Sequence, residues 1–544
     1  MNHAPIPNLR TPVQMLRDGA ETRDGAMLTF VDIRPDGSFA EETRSYRELL
    51  GNGARIAAAL AGEGMKPGDS FALVMPNHPE FVDAMIGSEL AATIFVPIDP
   101  RTRGARLAFM LRFAGCRGAI VAPEALPALA EVIAEVPDLD WVWVLGDTAP
   151  PLPGVRVAAL SQALAGAGAL PADPGADLAR PMQMLYTSGT TGDPKAILAP
   201  YGRYAAVSTF GPLLQVRSDD KLYTGLSFTH ANAQLITLGN ALSMQLPLVV
   251  SRRFSKSRLW DILARYGCTV FNLLGGMAVA IFAEPPSPRD RQHKVRMVLS
   301  AGMPPSMWRD FEARFGVEVL EFFGAAEGGL TINLPGAGPI GSIGKPPAGT
   351  ICAILDEDDR DCAAGVLGEM CFRPEGSETP AVEYFRNPEA SAAKTRGGWF
   401  RTGDIGYKDA DGWVFFSHRA GDAIRRNGDF VNAVQIEAEI AAMEGVGDVH
   451  VYGAAMAENA PGEKEVVAAI VPAGDFDPLA VFAHCRERIG SAAMPSLVQI
   501  ISEIPKTASE KPQARHLITM LGAPDAVIFG PSGPTTITLG RATQ

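Results

Sequence analysis

The chain has 544 residues, 47% hydrophobic and 20% charged, which is ample material for a large core and for more than one folding unit. A formal net charge of −13 argues against a general binder of nucleic acid or anionic membranes, and any phosphate site must be a local cluster of positive groups. Six cysteines show neither paired spacing nor metal-ligand spacing, as in a reducing compartment; no secretory leader is visible and no apolar run reaches ~18 residues. The expectation is therefore a cytoplasmic protein without a membrane span.

In chain order, residues 44–65 carry helical periodicity and stop at Gly62–Gly64. A Pro67-Gly68-Asp69 turn leads into a strand, Phe71–Met75, then a helix over 79–92 and a strand over 94–98. Helix 105–115, strand 118–121, helix 125–135 and strand 141–145 repeat the alternation, which argues for a doubly wound α/β fold with parallel sheets. Residues 148–180, rich in Pro, Ala and Gly, read as a connecting segment. Strands over 248–251, 270–273, 295–300 and 317–323 continue the pattern. From about 340, Gly/Pro-bounded strands (351–355, 369–373) indicate a β-rich subdomain. The N-terminal domain is read as 1–420, and 422–522 as a separate small α+β domain with helices at 433–443 and 477–489. Residues 523–544 read as a peripheral, poorly packed tail.

The most informative stretch is Tyr186–Lys195. An apolar strand, Met182–Leu185, precedes it; five of its ten residues carry hydroxyls, two are glycines, and it ends on a lysine. Glycines let backbone N–H groups turn towards a ligand, and hydroxyls and an ammonium add donors, a combination suited to a polyphosphate. The spacing is not the Walker pattern, since two residues separate Gly189 from Gly192 and Asp193-Pro194 precedes Lys195.

This stretch resembles the phosphate loop of the adenylate-forming superfamily: acyl-CoA synthetases, adenylation domains of peptide synthetases, and luciferases. Further motifs follow in that superfamily's order. Residues 226–234 resemble the segment whose His230 lines the acyl pocket. Ser300–Pro305, with Ala301, Gly302 and Met303, resembles the loop against adenine. Glu321–Glu327 resembles the aromatic-Gly-x-Thr-Glu motif, which implies Phe322, Phe323, Gly324 and Ala325 near the base and Glu327 as a Mg²⁺ ligand. Ala326 stands where the family has threonine, removing one hydroxyl donor, plausibly worth ~1 kcal/mol. Trp399–Asp404 resembles the ribose-binding motif, with Asp404 on the hydroxyls and Phe416 and Arg419 beside it. Gly421 occupies the hinge position, and residues 424–431, including Gly428, resemble the loop reaching the thiol tunnel. Ile504–Lys511 resembles the ending whose lysine completes the adenylation site, with Glu510 in place of the usual glycine.

The resemblance implies an ATP-dependent ligase that activates a small-molecule carboxylic acid as acyl-AMP and passes it to coenzyme A. Thr187, His230, Glu327 and Lys511 are then the catalytic set. Thr187, Ser188, Gly189, Thr190, Thr191, Gly192 and Lys195 hold the phosphates. The texture is closest to the carnitine/crotonobetaine-CoA ligase branch. His230, Gly275, Gly276, Met277, Met303 and Ala325 are the acyl-pocket candidates, and no arginine or lysine stands out to balance a second carboxylate. Loading of a carrier-protein thiol and a catalytically silent nucleotide binder are the alternatives. A homodimer stays open.

Overall fold

The computed structural model describes residues 9–171, 177–187, 194–325, 327–377, 382–420, 424–426, 429–431, 433–457, 459, 463–489, 494–507 and 512–539. Two large, mostly parallel sheets make up the N-terminal part. In the seven-stranded one, Ser70–Val74 lies between Ile94–Ile98 and Cys116–Val121, parallel to both. Every residue of the first two strands is buried, because helices cover both faces of the sheet; their sequences are accordingly near-continuous apolar runs instead of alternating ones. The eight-stranded sheet runs Leu248–Ser251, Leu222–Thr224, Val270–Leu274, Met297–Ala301 and Glu318–Ala325 in parallel, with antiparallel Gly328–Asn333 at its edge.

Local sequence sets the helix starts. Helix Tyr46–Gly62 opens with a capping box: the Glu48 N–H donates to the Ser45 hydroxyl at 3.2 Å, and the Ser45 N–H donates to the Glu48 carboxylate at 2.7 Å. A four-stranded antiparallel sheet (Thr350–Leu355, Gly368–Pro374, Phe400–Lys408, Val414–Arg419) forms the β-rich subdomain.

Two expectations are corrected. Residues 148–180 are not merely a connection, since Arg156–Ala159 pairs parallel with Trp141–Val144 and a short helix, Leu160–Ala163, follows. A four-residue strand is too short to show its periodicity among prolines and alanines. Nor are residues 523–539 a loose tail. Val527–Gly530 pairs antiparallel with Leu497–Ile500, Ile528 is buried, and Leu539 bridges to Met456. The apolar Val527-Ile528-Phe529 triplet is the signal, diluted by the Gly, Pro and Thr around it.

The C-terminal sheet orders Val446–Ala454, Glu465–Pro472, Leu497–Ile500 and Val527–Gly530, with helices Ala433–Ala441 and Pro478–Ile489 against it. It docks on the N-terminal part where Ala441 packs against the main core. Lys256 Nζ donates to the Gly447 carbonyl at 2.9 Å and pairs with Glu284 at 3.0 Å at the same junction.

Candidate active site

Strand Pro181–Thr187 returns antiparallel as Lys195–Pro200, with Thr187 opposite Lys195. The connection between them is thereby closed at its base, at the edge of the seven-stranded sheet. The return strand was not anticipated from sequence. Ser188, Gly189, Thr190, Thr191 and Gly192 lie outside the described residues, as do Ala326, Gly421, Gly428 and Lys511. Lys195 holds its ammonium 5.5 Å from the centre of the Tyr384 ring.

Below this hairpin opens a chamber of about 1120 Å³. His230, Asn232, Arg203 and Glu327 are on its wall, and Ala301, Phe322, Gly324 and Ala325 line it too. Most of the other lining is apolar, including Leu198, Val207, Phe210, Leu235, Ile236 and Leu330, with Glu383, Thr229, Thr350 and Thr395 among it. Asn232, Leu235 and Ile236 come from a π-helical segment, Asn232–Leu238, a rare geometry that recurs at functional sites. Of the six acyl-pocket candidates, His230 and Ala325 line the chamber. Gly275, Gly276, Met277 and Met303 are not on its wall, and the two methionines are buried in the core. Gly275 has a packing role instead: a Cβ there would come within 2.3 Å of the Gly302 carbonyl oxygen.

That contact belongs to the turn after strand Met297–Ala301. Gly302 adopts φ +104°, a conformation that glycine tolerates, and its N–H donates to Glu321 Oε1 at 2.5 Å. The Met303 N–H donates to Glu321 Oε2 at 3.1 Å. Glu321 is thus the post on which the expected adenine loop is tied. Burial pushes its pKa up to about 7, against the pull of these donors.

Phe322 faces the chamber, whereas Phe323 stacks on Phe372 of the β-rich sheet, centroids 5.9 Å apart and planes 11° apart. Glu327 accepts a hydrogen bond from the Tyr384 hydroxyl at 2.8 Å. Burial, and then the Glu327 charge, raises the tyrosine pKa, so the phenol stays protonated and donates. Asp404 lies opposite Arg419 in register; Arg419 Nε donates to Oδ1 at 2.9 Å and Nη2 to Oδ2 at 3.5 Å. Phe416 is exposed on the same strand as Arg419. Lys394 Nζ donates to the Thr402 carbonyl at 2.9 Å; burial lowers its pKa, and the charges of Glu327, Glu369 and Asp404 oppose that shift. The amine therefore sits in the field of both candidate carboxylates, Glu327 and Asp404.

Sequence reasoning did not single out Arg203, Glu321, Tyr384 or Lys394. Glu321 was the most accessible of these, as a carboxylate inside an otherwise apolar strand, Glu318–Ala325. The others are ordinary residues until the fold brings them to the site.

A single Glu327 carboxylate, one of whose oxygens is taken by a tyrosine hydroxyl, fits magnesium, which is usually held by one or two carboxylates together with substrate phosphates. No cluster of three or more His, Cys, Asp or Glu side chains able to cage a metal occurs among the described residues. Nor, among them, is any helix long and apolar enough to cross a membrane.

Against known proteins, the family described as AMP-binding enzyme matches residues 20–377, and the AMP-binding enzyme C-terminal domain matches 435–511. The chain is 28% identical over 501 residues to a medium/long-chain-fatty-acid–CoA ligase of Mycobacterium marinum, covering 90% of this chain and 94% of that one. It is 28% identical over 484 residues to a crotonobetaine/carnitine–CoA ligase of Salmonella enteritidis, covering 86% and 91%. Among solved structures, an anthranilate CoA ligase in complex with anthranoyl-AMP superposes with a TM-score of 0.79 at 22% identity, covering 95% of this chain and 98% of that one. The fold is therefore that of adenylate-forming ligases.

Proposed function

The chain belongs to the AMP-binding enzyme family, and from that premise we propose that it is an AMP-forming acid–thiol ligase acting on a carboxylic acid, ATP and coenzyme A. The observation that carries this reading is the chamber: a large, mostly apolar cavity lined by both strands of the hairpin, through Leu185, Tyr186, Ile197 and Leu198, and by Glu327.

Carboxylate and triphosphate repel one another, so the site must supply positive charge and hold the reactants in line. Lys195 at the hairpin base, Lys394 between Glu327 and Asp404, and Lys511 from the C-terminal domain are the cations we assign to that work. Asp404 with Arg419 takes the ribose, the Gly302–Met303 turn faces adenine, and His230 borders the reacting carboxylate. Magnesium, held by Glu327 and the phosphates, would neutralise charge on the leaving pyrophosphate. An oxygen of the acid attacks the α-phosphorus, the bond to pyrophosphate breaks, and acyl-AMP remains. The coenzyme A thiol then displaces AMP to give the thioester. We assign the exchange between the two steps to rotation of the C-terminal domain about the segment at Gly421. Six thiols without a disulfide and a cytosolic co-substrate agree with a cytoplasmic enzyme.

The relatives' names include fatty acids, and the apolar wall suits an acid with a sizeable hydrophobic body. The test is ATP with a panel of carboxylic acids, measuring pyrophosphate and AMP with and without coenzyme A. AMP turnover that needs coenzyme A is the expected result. Adenylate that coenzyme A does not advance would point to a carrier-protein thiol instead, and no pyrophosphate with any acid would remove the ligase reading.

A further inference from the structure

Arg203 lies on helix Tyr201–Val207, immediately after the strand that begins at Lys195. Its guanidinium is on the chamber wall, and its one described hydrogen bond is long, from Nη2 to the Ala325 carbonyl at 3.4 Å. No carboxylate lies within 4 Å of it among the described residues. Three other partly buried arginines are differently placed: Arg296 pairs with Asp220 at 2.5 Å, Arg314 with Asp290 at 2.8 Å, and Arg44 with Asp83 at 3.2 Å. A guanidinium offers five N–H donors and cannot shed its proton, so leaving it buried with no carboxylate in contact is costly. Burial lowers its pKa and only the charge of Glu327 opposes that.

The same helical face continues the argument. Arg203, Ala206 and Val207, at spacings of three and four residues on this helix, line the chamber, and Phe210, three residues past the helix end, lines it too. The face therefore presents one cation and then apolar side chains leading away from it. A nucleotide does not match that order, whereas an amphiphilic acid does.

We propose that Arg203 is the acid-side anchor: it holds the carboxylate of the incoming acid, while the acid's hydrophobic body runs along Ala206, Val207 and Phe210. This rests on the ligase reading above and names its substrate class, monocarboxylic acids with an extended apolar body. The anchor acts only before the first bond forms. When a carboxylate oxygen has attacked the α-phosphorus and pyrophosphate has left with its charge, the acyl group is uncharged and the ion pair with Arg203 is gone. Arg203 is thus a binding group for the first half-reaction and not for thioester formation.

The experiment uses the full chain with Arg203→Gln, Arg203→Lys and Ala206→Phe, and saturated monocarboxylic acids of graded length with their dicarboxylic counterparts. Arg203→Gln is expected to raise the KM for monocarboxylic acids roughly 30-fold while the KM for ATP and the conversion of chemically supplied acyl-AMP to thioester stay within about twofold. Arg203→Lys should recover part of the loss. Ala206→Phe should shift preference to shorter acids without touching the KM for ATP, and it keeps the proposal testable if Arg203→Gln folds poorly. A role limited to pinning Ala325 would move the KM for ATP as much as that for the acid, and that result overturns the anchor. So does a loss confined to dicarboxylic acids, which would place a second carboxylate at Arg203. Wild-type enzyme that activates no acid in the panel removes the ligase reading, and the anchor with it. Wild-type turnover that Arg203→Gln leaves unchanged removes the anchor alone.

Discussion

Asp404 and Glu327 are the two carboxylates assigned to the proposed site, and the fold surrounds them differently. Asp404 is 3% exposed, and the antiparallel register of its own sheet brings Arg419 onto both of its oxygens. Glu327 stands at the turn between Glu318–Ala325 and Gly328–Asn333, accepts a neutral hydroxyl from Tyr384, and has no cation within 4 Å among the described residues. A carboxylate already neutralised by a guanidinium has lone pairs left for hydroxyl donors but little field for a further cation. One held only by a phenol keeps its charge for a metal. The chemistry at Asp404 thus follows from the strand paired opposite it, and that at Glu327 from a side chain brought in by tertiary packing.

The largest effect should come from the group that neither carboxylate can replace. Lys511→Ala is expected to lower acid-dependent pyrophosphate release about 10³-fold, while supplied acyl-AMP is still converted to thioester. Equal loss of both half-reactions would show that the lysine belongs to neither carboxylate's side of the adenylation site. Next is the direct contrast. Glu327→Gln should cut kcat for adenylation on the order of 10²-fold and weaken Mn²⁺ binding, read by electron paramagnetic resonance with a non-hydrolysable ATP analogue. Asp404→Asn should instead raise the KM for ATP roughly 10-fold with the Mn²⁺ signal intact. If the two variants behave alike, the difference in their surroundings has no functional content.

A smaller effect tests how Glu327 is held. Tyr384→Phe removes one hydrogen bond, about 1 kcal/mol, so a fall in kcat of about fivefold is expected together with weaker Mn²⁺ binding. A change in the KM for the acid with no change in metal binding would place Tyr384 on the substrate side.

Much of the architecture was legible because it rests on local signals. The capping box at Ser45, the doubly buried runs at Ser70–Val74 and Ile94–Ile98, and the motif order from Tyr186 onward are all written in short windows. The short strand Arg156–Ala159 and the closing strand Val527–Gly530 were not legible, because their pairing partners rather than their own periodicity decide their state. The same distinction runs through the site. Asp404 and Arg419 could be read from motifs and their pairing belongs to one hairpin. Tyr384, 57 residues beyond Glu327, and Arg203, well before Ala325, meet their partners only through tertiary packing. Met277 and Met303 erred the other way: adjacency to a motif suggested a pocket, yet both side chains turn into the core.

The smallest effect concerns a third carboxylate, Glu321, which sharpens the comparison because it is buried with no cation within 4 Å among the described residues. Burial raises its pKa to about 7, while in the unfolded chain it has the ordinary value near 4.5. Between those values the folded protein binds more protons than the unfolded one, so the stability this group contributes is complete below about pH 4.5 and is lost as pH rises through 7. Glu321→Gln keeps an acceptor for one of the two amides of Gly302 and Met303 and cannot titrate. The variant should have a lower Tm at pH 5.5, yet a flatter dependence between pH 5.5 and 8, with the gap to wild type narrowing by a few degrees, on the order of 1 kcal/mol. Thermal melts across that range decide the matter. A wild-type slope no steeper than that of Glu321→Gln would mean that its hydrogen-bond donors hold Glu321 ionised, and that the Gly302–Met303 turn is tied by a charge rather than by a proton.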